Sequence, residues 1–77
     1  MRDAEVKCLQ QFLKNQGSDI YPEGLVTGNF VNLTKAAVIR FQEKYASEIL
    51  TPIGLSKGTG YVGVQTRTKI NQLLNGG

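Results

Sequence analysis

Apolar residues recur at helical spacing in three stretches of this chain, separated by two stretches rich in turn formers. Val6, Leu9 and Leu13 stand at i, i+3 and i+7 with Phe12 beside them, Asp3 offers an N-cap, and Gly17 falls where a left-handed C-cap is wanted. This predicts a first helix over about 4–16. Residues 17–32 then hold Gly17, Pro22, Gly24 and Gly28, and Tyr21-Pro22-Glu23-Gly24 reads as a turn, with Leu25 and Val26 as one short extended piece. From Leu33, the positions Ala37, Val38, Phe41 and Tyr45 resume helical spacing behind Asn32 as N-cap, until Pro52 disfavours helix at Thr51. The second helix is predicted over about 33–49. Residues 51–63 are too Gly-rich for regular structure, yet Ile53 and Leu55 suggest a loop pinned on the core. The third helix is predicted over about 64–74, with Ile70, Leu73 and Leu74 on one face and Asn75-Gly76-Gly77 closing it. The reading is all-α: a three-helix bundle with long structured loops, forming a single domain over 1–77.

The pattern repeats with a period of 32 residues. Thr27-Gly28, Phe30, Thr34-Lys35, Val38 and Phe41 realign on Thr59-Gly60, Val62, Thr66-Arg67, Ile70 and Leu73. The same step backwards from Val38, Phe41 and Gln42 lands on Val6, Leu9 and Gln10. Helical periodicity can align apolar positions by chance, but it does not align Thr-Gly and Thr-Lys/Arg as well. Three loop-plus-helix units, each needing a neighbour to bury its apolar face, give such a repeat physical sense.

With 77 residues, the chain has room for one core and for a shallow surface site rather than a deep cavity. Nine Lys and Arg against six Asp and Glu leave a net charge of +3, which favours anionic partners without specifying one. There is no His, which removes His-based zinc sites, Ser-His and Cys-His catalysis and the usual general base near neutral pH. No metal and no cofactor is expected. Cys8 is the only cysteine, so the fold rests on packing, and Cys8 itself reads as core or core flank. No run is apolar and long enough to span a membrane, and the first residues are too charged for a signal peptide. The sequence therefore reads either as an intracellular protein or as a domain of a longer exported chain.

The polar residues at helix positions carry mostly structural readings. Gln10 and Gln42 each follow an apolar helix residue, and a short amide there suits bonds to the backbone of the adjoining loops. Thr34 and Thr66 read as caps or first-turn hydroxyls. The carboxylates Asp3, Glu5, Asp19, Glu23, Glu43 and Glu48 show no spacing that suggests a catalytic cleft, so no catalytic residue is expected. The polar third helix, residues 65–72, would suit a DNA recognition helix. Against that, Arg2, Lys7, Lys14, Lys35, Arg40, Lys44 and Lys57 are spread along the chain, and +3 neutralises few phosphates. A small DNA-binding three-helix domain is the alternative reading, and a protein-interaction or pro-segment module a third.

The segments Val6–Leu13, Thr27-Gly28-Asn29-Phe30, Leu33–Gln42 and Tyr61-Val62-Gly63 with Thr66-Arg67 together resemble the bacterial peptidoglycan-binding domain of three helices. The resemblance runs from residue 6 to residue 74. It implies a compact helical bundle that anchors wall hydrolases or other exported proteins on the murein mesh, and hence a place in the cell wall, outside the cell or in the periplasm. Two positions depart from the family pattern: Val31 stands where Gly is usual, and Val64 where Pro is usual. If position 31 needed a positive φ, its β-branched side chain would be strained there.

The function expected is noncatalytic binding of peptidoglycan by a monomer, with no nucleic-acid or membrane partner. A ligand of hydroxyls, N-acetyl groups and carboxylates asks for an aromatic platform, amides and a cation. The candidate ligand-binding residues are Tyr21, Asn29 and Tyr61 in the loops and Arg40 on the second helix. The plainer alternatives are that the two tyrosines cover the core and that Arg40 lies on a solvated face.

Overall fold

The structure is a computed structural model that describes residues 3–75. Met1, Arg2 and the Gly76-Gly77 pair expected to close the last helix lie outside the described residues. Four α-helices follow one another: α1 (Asp3–Asn15), α2 (Asn32–Lys44), α3 (Ala46–Ile49) and, after a single 3-10 turn at Thr51–Ile53, α4 (Val64–Leu74). The chain is all-α, as the hydropathy pattern predicts, and no strand occurs among the described residues. None of its described helices is long and apolar enough to cross a membrane.

The core forms where the apolar stripes of α1 and α2 meet. Leu9, Phe12 and Leu13 pack with Ala37, Val38 and Phe41, and the Phe12 and Phe41 rings sit edge to face with centroids 5.4 Å apart. Ile20 and Tyr21 close one side from the first loop, and Ile49 and Leu50 close the other. Ile70 and Leu73 of α4 are only half-buried against this cluster.

The second predicted helix is interrupted. Tyr45, with φ −111° and ψ 37°, leaves helical geometry and separates α2 from α3. Its ring packs on Phe41 at 5.1 Å, while the Lys69 ammonium lies 4.7 Å from its centroid. The break redirects the chain so that both Ile49 and Leu50 are buried. Gly54 then ends the 3-10 turn in the left-handed region at φ 75°.

Several local expectations are corrected. Asn32 is the first residue of α2 rather than its cap; Val31 holds the N-cap position in extended backbone, with no side-chain bond. Leu25 and Val26 form no extended element and are exposed. Ile53 and Leu55 are also exposed, so they do not pin the second loop. That loop is held by polar contacts instead, described below. Val31 (φ −110°) and its repeat partner Gly63 (φ −89°) both lie in the extended region, so the β-branched side chain is unstrained. Cys8 is exposed, not buried. The buried face of α1 is carried by positions 6, 9, 10, 12 and 13, with Cys8 on the flank beside Phe12 that faces α4 across open space.

Candidate functional site

The 32-residue repeat is realised as two hydrogen-bond clamps of the same design. Gln10 on α1 is fully buried; its Oε1 accepts the backbone N–H groups of Thr27 (2.8 Å) and Gly28 (3.0 Å). Its Nε2 donates to the Asn29 carbonyl (2.9 Å) and to Thr34 Oγ1 (3.0 Å). Gln42 on α2 repeats each bond one unit later. Its Oε1 accepts from Thr59 (2.8 Å) and Gly60 (3.0 Å), and its Nε2 donates to the Tyr61 carbonyl (2.8 Å) and Thr66 Oγ1 (3.1 Å). A neutral amide is suited to this place because it is both donor and acceptor, and a loop turning back on itself presents both kinds of backbone group. No buried side-chain polar atom among the described residues lacks a partner. Thr34 and Thr66 therefore serve as first-turn hydroxyls bound to the glutamines, not as caps.

Each clamp fixes a tight turn in which only glycine fits well. Gly28 and Gly60 have φ of 86° and 79°. At Gly60 a Cβ would also come within 2.7 Å of Lys35 Cγ and Cε, because the stem of Lys35 lies across it. Gly58 sits so close to α2 that a Cβ there would be 2.8 Å from the Ile39 carbonyl oxygen, and its N–H donates to Glu43 Oε2 at 3.0 Å. These contacts hold the second loop.

The two clamped turns flank one open groove of about 740 Å³, lined by Gly28, Asn29, Phe30 and Val31 from the first loop, Tyr61 and Val62 from the second, and Val6 at the start of α1. Asn29 and Tyr61 are equivalent positions of the repeat, one full period apart, and both are exposed. Tyr61 shows 70% of its surface. The Lys35 ammonium stands 5.3 Å from the centre of the Tyr61 ring, placing a cation beside the aromatic surface. No carboxylate lines this groove among the described residues.

The four residues singled out from the sequence are thus divided. Asn29 and Tyr61 are brought together. Arg40 is exposed but lies elsewhere, donating from Nη1 to the Ile20 carbonyl at 3.2 Å. Tyr21 is a core residue, only 2% exposed, with its hydroxyl 2.7 Å from the Leu25 carbonyl oxygen and 3.4 Å from Thr34 Oγ1. Its ring has no face free for a ligand. Tyr21→Phe should therefore cost about 0.5–1.5 kcal/mol of stability in urea unfolding, the ordinary worth of one hydrogen bond, and leave binding unchanged. A loss of binding without a loss of stability would return Tyr21 to the site. Lys35, the cation beside the Tyr61 ring, is not legible from the sequence as such, because its proximity to Tyr61 depends on how the second loop folds back over α2.

A bundle whose units are locked by buried amides, with a shallow groove between two equivalent loops, defines a small all-helical repeat domain that presents loops rather than a cavity. The chain belongs to the family described as "Putative peptidoglycan binding domain", whose sequence model matches residues 2–70. No curated protein and no solved structure shows significant similarity to it.

Proposed function

We propose that this domain binds bacterial cell-wall peptidoglycan without cutting it and anchors an attached domain of a longer exported protein to the wall. The observation that carries the reading is the pair Asn29 and Tyr61, placed at one groove by two copies of the same clamp. An exposed aromatic ring, an amide and a nearby ammonium are what a polymer of sugar rings, N-acetyl groups and carboxylates asks for. The absence of carboxylates from the groove among the described residues, and of His from the sequence, supports a noncatalytic role. Because the groove is shallow, affinity for one small fragment should be weak, on the order of 0.1–1 mM, with retention on the polymer coming from repeated sites.

The domain should co-sediment with purified sacculi as a monomer and release no soluble fragments. Tyr61→Ala and Asn29→Ala should each lower the sedimented fraction several-fold while leaving the helical circular dichroism intact. Arg40→Ala should have little effect. Retention that disappears by about 0.2 M salt and ignores both substitutions would instead indicate nonspecific attraction of a cationic protein to an anionic wall. Tighter binding to duplex DNA than to sacculi would favour the nucleic-acid reading.

A further inference from the structure

We infer that the open groove between α1 and α4 is a second subsite, taking an extended peptide of small residues that bears both a carboxylate and an amine. On the reading above, on which this inference rests, that peptide is the stem peptide of peptidoglycan.

The repeat supplies the argument. Lys35, Ile39 and Gln42 of α2 are equivalent to Arg67, Asn71 and Leu74 of α4, each 32 residues on. On α2 this face is covered by the segment 58–60. Gly58 rests on Ile39, Gly60 lies under Lys35, and the Gln42 amide grips the backbone of Thr59 and Gly60. On α4 the equivalent face lines a groove of about 410 Å³, across from Cys8 and Phe12 of α1, and Leu74 is 65% exposed. The face that residues 58–60 of the chain cover on α2 is thus left open on α4, where it looks toward α1.

The substitutions at the three equivalent positions describe what would fill it. Where the chain lies on α2 there is no room for a Cβ on Gly58 or Gly60, so small residues suit a peptide laid on the equivalent face of α4. Where α2 has the amide at Gln42, α4 has the apolar Leu74; but α4 has Asn71 where α2 has Ile39, so the amide has moved one turn back. The Asn71 side chain makes no hydrogen bond among the described residues and is free to meet a peptide backbone. Arg67 replaces Lys35 with a planar guanidinium, suited to a carboxylate, and it forms no ion pair among the described residues. Glu5 lines the same groove and does not pair with Arg67, which leaves separate positive and negative positions. A stem peptide matches this with its small alanine residues, its carboxylates and the free amine of its diamino acid.

Cys8 provides the test, because it is the only cysteine, is exposed, and lines this groove. The rate of Cys8 alkylation by iodoacetamide is measured in the folded protein alone, with synthetic stem pentapeptides containing lysine or diaminopimelate, and with chitotetraose. With a Kd on the order of 1 mM, about 4 mM of the matching peptide should slow alkylation about fivefold. Chitotetraose should leave the rate unchanged. Arg67→Ala should keep the unliganded rate and the helical spectrum but lose the protection. Unchanged rates with both peptides, equal protection by chitotetraose, or full protection in Arg67→Ala would overturn the inference. Sedimentation with sacculi, run on the same samples, separates the two failures: a protein that sediments but is not protected sinks only this subsite, and one that does not sediment sinks the peptidoglycan reading.

Discussion

Gln42→Ala should leave the domain largely unfolded. The substitution strands the N–H groups of Thr59 and Gly60 and the Tyr61 carbonyl, and it removes the partner of Thr66, all around a side chain that is 1% exposed. A buried backbone group left without a partner costs roughly 1–3 kcal/mol, and even if water reaches part of the gap the total should be about 3–5 kcal/mol. That equals the net stability of about 3–5 kcal/mol which a core of this size can supply. Gln10→Ala should behave in the same way, since the bonds to Thr27, Gly28, Asn29 and Thr34 match those of Gln42 at equivalent partners to within 0.1 Å. The exposed Gln11, bonded only to Asn15 one turn on, is the control, and Gln11→Ala should fall within about 0.5 kcal/mol of the parent. Urea midpoints followed by circular dichroism would check all three. A cost below about 1 kcal/mol for either buried glutamine would show that the clamps do not carry the fold.

The second large effect belongs to Gly58. An alanine Cβ there would lie 2.8 Å from the Ile39 carbonyl oxygen and 2.9 Å from the Ile39 Cα, and backbone inside a helix cannot yield as a flexible side chain would. The loop must lift away from α2, at a cost of about 1–3 kcal/mol. Because Tyr61 follows three residues later on the same loop, Gly58→Ala should weaken retention on sacculi as well. Gly54→Ala separates strain from displacement: its φ is 75°, but a Cβ meets nothing within 4 Å. It should cost about 1 kcal/mol through the left-handed backbone alone and leave retention intact. Equal retention by the two variants would mean that the position of Tyr61 does not depend on the Gly58 contact.

What was legible in the sequence follows from which interactions are local or periodic. The bounds of α1 and α4 emerge from apolar spacing, and α4 begins and ends where that spacing places it. The structural role of Gln10 and Gln42 was also legible, because a repeat preserves polar residues only where something pairs with them. The break at Tyr45 was not. No Gly or Pro marks it, and the contact that accompanies it, Lys69 over the Tyr45 ring, joins residues far apart in the chain. The two loop tyrosines look alike in sequence, yet Tyr21 finds a carbonyl partner in its own turn and is buried, while Tyr61 spends its backbone on the clamp and leaves its ring outside. Nothing local in the sequence shows that the second loop brings Tyr61 beside Lys35 and not beside Arg40. Cys8, one turn before Phe12, reads as core or core flank; it is on the flank and exposed because α4 leaves the space beside it open. Leu74 at the position of the clamp glutamines was the available sign of that opening.

The central claim is that peptidoglycan is held at the groove between the two clamped loops, and amide shift mapping on the isotope-labelled domain tests it most directly. Titration with soluble disaccharide-peptide fragments should move the amides of residues 28–31 and 61–62 most, saturating with a Kd on the order of 0.1–1 mM that survives about 0.2 M salt. Small shifts scattered over lysine-bearing surfaces and abolished by salt, or larger saturable shifts with a short DNA duplex, would contradict it.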